Sequence, residues 1–177
     1  MARLRVAADL RLPMPGLVIG IDDIQMPSRR RRHVAGPFLI IARACGLALD
    51  AKTRLEPGSI PHLTAPHARP NQLWFLHSSG HKGEAVVTSA ASNLVLDSTP
   101  PEKHHVQLRE LENEAWQRWR ILDAADGVGH LLQSAYNGKY LTADVSSEKG
   151  WCPWFETRHG GVSQQWIIAA PHGNVKN

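Results

Sequence analysis

Five histidines, His62, His67, His104, His105 and His159, are the side chains of this chain best equipped to hold a metal or carry a proton. None has a carboxylate or cysteine at ligand spacing, so no metal is expected. Cys45 and Cys152 do not make a disulfide framework; one bridge between them stays open, and two reduced thiols is the simpler expectation. No Ser-His-Asp or Cys-His signature and no Gly-rich phosphate loop is present, so neither an enzyme nor a cofactor is expected. What remains is the chemistry of recognition, and it depends on where the chain repeats itself.

The repeat is a Gln-x-Trp triplet: Gln72 to Trp74 within NQLW, Gln117 to Trp119, and Gln164 to Trp166. The tryptophans are 45 and 47 residues apart, an interval expected of a chain built from repeated units. Superimposing the units on these anchors brings other residues into step. Leu39-Ile40, Val86-Val87 and Leu131-Leu132 coincide, as do Leu49, Leu96 and Leu141, each followed by a polar residue, Asp50, Asp97 or Thr142. From that polar residue to the tryptophan the distance is 24, 22 and 24 residues.

Within each unit, apolar runs of a few residues alternate with turn material, in the first unit FLII, GLAL, a stretch through Ile60 and Leu63, and LWFL. Such spacing predicts short strands of an all-β barrel or sandwich. No segment of the repeat region sustains a helical period, and the nearest, Leu108 to Trp119, has ends that the repeat assigns to strands. Three units of four strands around a pseudo-threefold axis make a β-trefoil, in which each unit supplies part of a core none could form alone. The tryptophans are then expected to fill that core. Each Gln either points to the other face of the pleat or caps backbone groups left by a turn.

The 177 residues carry a net charge of +4, with 14 Gly and 12 Pro, which favours turns over long helices. From Gly36 onward 13 Lys and Arg balance 13 Asp and Glu, so the excess sits in residues 1–35, mostly in Arg29 to Arg32. A neutral body without a basic, aromatic-lined patch argues against a nucleic-acid partner. The Arg run is most simply a solvated linker, with a localisation or polyanion-binding tag as the sharper alternative. The apolar segment from Leu12 to Ile21 is about half a bilayer long and follows Asp9 and Arg11, so neither a membrane span nor a secretion signal is expected and the default location is cytoplasmic; secretion is the alternative if the start is misassigned or export is non-conventional. The expected division is an N-terminal extension at 1–35, a trefoil at 36–170 in repeats of about 36–80, 81–125 and 126–170, and a tail at 171–177.

With three spaced triplets, the Leu-Asp pairs and the PHARPNQLW stretch, the sequence resembles the ricin B-type lectin family of β-trefoil carbohydrate-binding modules from about Gly36 to Ile168. The resemblance implies a glycan partner and, in each unit, a shallow site built from an Asp after the second strand, a stacking aromatic, and an Asn just before Gln-x-Trp. A carboxylate accepts from neighbouring sugar hydroxyls, an amide both donates and accepts, and a ring covers the C–H face. The first unit matches with Asp50, Asn71 and Gln72, led by His67 and Pro70. The second keeps Asp97 and Gln117 but has Trp116 in place of Asn. The third has Thr142 and Ser163 at the two positions, with Asp144 two residues late. At the stacking position stand Thr64, Arg109 and Glu156, none aromatic. In the third unit Trp151, Trp154, Phe155 and His159 offer either a substitute platform or barrel packing. Asp50 and Asp97 have a plainer alternative as turn caps. Two functions follow: a lectin-like module with its best site in the first unit, or a trefoil scaffold for protein interaction or protease inhibition.

Overall fold

The computed structural model describes residues 34–52, 56–98, 105–143 and 152–171. Twelve strands run in chain order: β1 (Val34–Ala42), β2 (Ala48–Asp50), β3 (His62–Thr64), β4 (Trp74–Ser78), β5 (Ala85–Ser89), β6 (Val95–Asp97), β7 (Gln107–Arg109), β8 (Trp119–Asp123), β9 (His130–Ser134), β10 (Tyr140–Thr142), β11 (Trp154–Glu156) and β12 (Trp166–Ala169). The repeat spacing translates directly into these elements, four to a unit. Among the described residues the helical content is three single 3-10 turns, Pro70–Gln72, Ala115–Gln117 and Val162–Gln164, one just before each Gln-x-Trp tryptophan.

β1, β4, β5, β8, β9 and β12 pair antiparallel in a closed ring. The remaining strands form three two-stranded hairpins, β2–β3, β6–β7 and β10–β11, each attached to the ring through one pairing: Ile41 with Ala48, Thr88 with Val95, Gln133 with Tyr140. A closed ring leaves no unpaired edge, so strands this short can be held. This is the β-trefoil, all-β and pseudo-threefold, that the sequence spacing predicts.

The three tryptophans are wholly buried and are the largest side chains in the core, surrounded by Ile40, Leu49, Leu63, Leu96, Leu108, Leu132 and Leu141. An indole also carries an N–H that must find an acceptor when buried. Trp74 Nε1 donates to the Leu49 carbonyl at 3.0 Å, Trp119 Nε1 to Leu96 at 3.1 Å and Trp166 Nε1 to Leu141 at 2.9 Å. The leucines that align in the sequence are thus the ones whose carbonyls receive the indoles.

Between the third and fourth strands of each unit the chain turns through a residue with positive φ: Ala68 at 54°, Asn113 at 60° and Gly160 at 74°. Only glycine adopts this region without a steric cost, and Asn tolerates it better than alanine. A Cβ at Gly160 would meet nothing within 4 Å, so substitution there isolates the backbone effect. Gly160→Ala is expected to lower unfolding free energy by about 1 kcal/mol, whereas Ala68→Gly lowers it by nothing and raises it by up to about 1 kcal/mol. Urea titration of the two variants checks both signs.

Candidate functional site

The 3-10 turn Pro70–Gln72 carries Asn71 and Gln72 towards the end of β2, where Asp50 sits. Proline opens this turn because its fixed φ suits the position and its missing N–H costs nothing there. The turn is held by Ala51 N donating to the Asn71 carbonyl at 2.8 Å, and the same bond recurs from Ser98 to Trp116 and from Ala143 to Ser163. Each unit therefore docks its 3-10 turn on the residue after the aligned polar position.

Each glutamine of the triplet is buried and caps the preceding turn, which decides between the two roles open to it from sequence. Gln72 Oε1 accepts from the His67 and Ala68 amides at 2.7 and 3.3 Å, while Nε2 donates to the Ala65 carbonyl at 3.0 Å and to Thr64 Oγ1 at 2.7 Å. Gln117 treats Glu112, Asn113 and Glu110 in the same way. Gln164 does so with His159 and Thr157. The glutamine amide also reaches the aligned polar residue: Asp50 at 3.3 Å, Asp97 at 3.0 Å, Thr142 at 3.3 Å.

In the first unit Asp50 is the centre. Its Oδ1 accepts from Lys52 N at 2.6 Å and Asn71 Nδ2 at 2.8 Å. Its Oδ2 accepts from Thr64 Oγ1 at 2.7 Å and Gln72 Nε2 at 3.3 Å. These contacts occupy the roughly four acceptor positions of a carboxylate. His67 completes the cluster: its Nδ1 accepts the Arg69 amide at 3.1 Å, so a neutral ring holds its proton on Nε2, 3.5 Å from Asp50 Oδ2. Burial, the strongest single influence, raises the Asp50 pKa, but the bonds from Asn71, Thr64, the Lys52 amide and Gln72 together outweigh it and hold the carboxyl below its ordinary value. Thr64, at the position where the resemblance calls for a ring, is one of these donors.

Asn71 is half-buried, and with Nδ2 committed to Asp50 its Oδ1 is turned away from that bond. His67 is exposed over about a third of its side chain. The pair offers an acceptor and an aromatic rim above a carboxylate that is only 4% exposed.

The other candidate residues fare differently. Asp97 is wholly buried and presents no oxygen to a ligand, so its expected sugar contact is corrected to a core role as acceptor for Gln117. Trp116, in the Asn position, has its ring 5.9 Å from Tyr136 and edge-on to it, which no amide would seek. Trp154 is 4% exposed on β11 and Phe155 stacks on Trp119 at 5.7 Å, so these two rings are packing and not a platform; their apolar area is taken up by the core. His159 keeps the arrangement of His67, accepting the Gly161 amide at 3.0 Å, but faces Glu156 at 3.4 Å, because Thr142 replaces the carboxylate. Asp144, Trp151 and His104 lie outside the described residues. Among the described residues, both cysteines are free thiols and no three His, Cys, Asp or Glu side chains gather as metal ligands.

Residues 70–151 match the model of the ricin-type beta-trefoil lectin domain-like family. Over that span the chain is similar to ricin-type β-trefoil lectin-like domains. The matched span runs from the first 3-10 turn to just before β11, so Asp50 and Thr64 precede it and Ser163 follows it. No curated protein matches the sequence. Among solved structures, the designed threefold-symmetric protein ThreeFoil is 23% identical with a TM-score of 0.68, covering 76% of this chain and 98% of its own. The C-half of the earthworm R-type lectin, solved in complex with GalNAc, is 20% identical at a TM-score of 0.58 over 76% of this chain and 98% of that one. An exo-beta-1,3-galactanase from Clostridium thermocellum is 18% identical at a TM-score of 0.68, the match covering 76% of this chain and 30% of that one. At these identities the likeness establishes the fold.

Proposed function

We propose that residues 36–170 form a non-catalytic carbohydrate-binding module whose working site is in the first unit. The observation that carries this reading is the convergence of Asp50 and Asn71, 2.8 Å apart across 21 residues of sequence. Among the described residues, the second unit has Trp116 in place of the Asn beside a wholly buried Asp97, and the third has Thr142 in place of the carboxylate, so we assign both to the scaffold.

A sugar hydroxyl entering this site donates to Asn71 Oδ1, while a neighbouring hydroxyl accepts from His67 Nε2 at the rim and Asp50 holds Asn71 in place. The His67 ring then flanks the sugar, in the absence of a stacking aromatic at Thr64. The site is shallow and singly weak, so multivalent glycans are its natural targets. The ricin-type domain match supports this class of ligand, as does the earthworm lectin among proteins of the same fold.

Glycan-array screening followed by calorimetry on the best ligand tests the reading. Asn71→Ala is expected to weaken binding at least tenfold while costing about 1 kcal/mol of stability, since Asp50 retains its other donors. Absence of any glycan ligand for the wild type, or full affinity in Asn71→Ala, leaves the scaffold function as the better account.

A further inference from the structure

Away from the Asp50 cluster, a cleft of about 430 Å³ opens where the first unit meets the second. Residues directly opposite in a sheet share a face. Phe75 pairs with Thr88, His77 with Val86, and Thr88 with Val95, so β4, β5 and β6 present these five side chains to one side. Val86 and Val95 are the buried floor. Phe75 and His77 stand above them as half-buried rings, 6.3 Å apart and inclined at 60°. The loop after β7 supplies the opposite wall, with Leu111 at 42% exposure, and Asn93 and Asn113 stand at the rim. Asp97, Arg109 and Trp116 are not among the lining residues, so this is not the second unit's version of the Asp50 site.

Threefold symmetry by itself does not produce such a cleft. At the next junction Arg120, Gln133 and Tyr140 replace Phe75, Thr88 and Val95, and at the last Ile167, Ile41 and Ala48 do. Only the first junction sets a ring beside a hydroxyl over a small aliphatic floor. The volume falls in the range of roughly 300–1,000 Å³ usual for small-molecule sites. Its polar groups are suited to hydroxyls: Asn113 Nδ2 is bound to the Ser79 carbonyl at 3.2 Å, which leaves its Oδ1 as an acceptor, and Thr88 and Asn93 add a hydroxyl and a carboxamide. His77 is the one titratable side chain in the lining, so the cleft holds no fixed charge with which to select an ion.

We propose that this cleft is a second, independent sugar site that takes one neutral pyranose, its C–H face on Phe75 and its hydroxyl edge on Thr88, Asn93 and Asn113. The choice of a sugar over another neutral amphipathic ring rests on the carbohydrate-binding reading above, whereas the site itself rests on the cleft. Amide NMR of the full chain with glucose, galactose, N-acetylglucosamine and glucuronic acid, each at millimolar concentration, provides the test. A neutral sugar is expected to shift Phe75, His77, Thr88 and Leu111, in wild type and in Asn71→Ala alike, with glucuronic acid no better. Leu111→Trp, an exposed position where added bulk projects into the cleft, should weaken those shifts at least tenfold in affinity and spare those around Asn71; Asn93→Ala should weaken them less. Shifts confined to the Asp50 cluster would overturn the second site and leave the first standing. Shifts confined to the cleft would do the reverse. Cleft shifts that persist undiminished in Leu111→Trp would also overturn it.

Discussion

Trp119→Ala will lower the unfolding free energy by about 4 kcal/mol, and Trp119→Phe by about half of that. The indole is wholly buried, so truncation to alanine removes its transfer free energy and leaves a cavity that a closed ring of six short strands and its three hairpins cannot collapse around. Two further side-chain contacts are lost or impaired. Phe155 is stacked on this ring at 5.7 Å, with planes 22° apart. The Leu96 carbonyl accepts the indole N–H at 3.1 Å and would be left in apolar surroundings without it. The residue also pairs with Ala85 of its own unit and Ser134 of the next, so it sits where two units join. Phenylalanine restores most of the volume but not the donor, and the gap between the two variants measures the carbonyl. Urea unfolding followed by circular dichroism checks both values; a cost below about 1 kcal/mol for the alanine variant would contradict a core centred on these rings.

Asp50→Ala is expected to cost about 3 kcal/mol, a large effect for the removal of one polar side chain. Most binding-site carboxylates can be removed cheaply because water replaces the ligand. Here the Lys52 amide, Asn71 and Thr64 would lose their acceptor in a place that is nearly closed to solvent, while Gln72 keeps Thr64 and Ala65. Asp50→Asn should not rescue this fully, because an amide donates where Thr64 or Asn71 already donates. The dependence on pH has a definite sign. The carboxyl is held below its ordinary value in the folded chain, so its ionised form stabilises the fold fully above about pH 4 and ceases to as pH falls through the folded pKa. The wild type and Asp50→Ala should therefore converge in stability on acidification. Thermal unfolding of the two proteins between neutral and acid pH measures it; a gap that stays constant would mean that the ionised carboxylate contributes nothing special.

These two residues divide the molecule. Trp119 belongs to the part whose role follows from spacing, and Asp50 to the part whose role depends on which neighbours reach it.

The interval between tryptophans, the aligned Leu49, Leu96 and Leu141 and the short apolar runs suffice for the trefoil, because a unit that cannot bury its own hydrophobic face must repeat, and repetition is visible one residue at a time. The identity of the unit with Asp, Asn and His together is equally local. Burial is not. Asp50 and Asp97 occupy the same register, yet one adjoins the half-buried Asn71 and the partly exposed His67 while the other is sealed inside, since both depend on chains about twenty residues away. Thr64 looks in sequence like the loss of a stacking ring, and only the cross-strand approach to Oδ2 shows it as a donor that fills the carboxylate. Trp154 and Phe155 look like a binding platform until the packing around the hairpin β10–β11 buries both. The Phe75 cleft has no signature at all, because its walls come from two units and its floor from a pairing register that no linear pattern contains. Sequence by itself determined how many units there are and what fills their shared core; tertiary structure alone decided which polar side chains still face the surface, because solvent access is set by what packs across the chain and not along it.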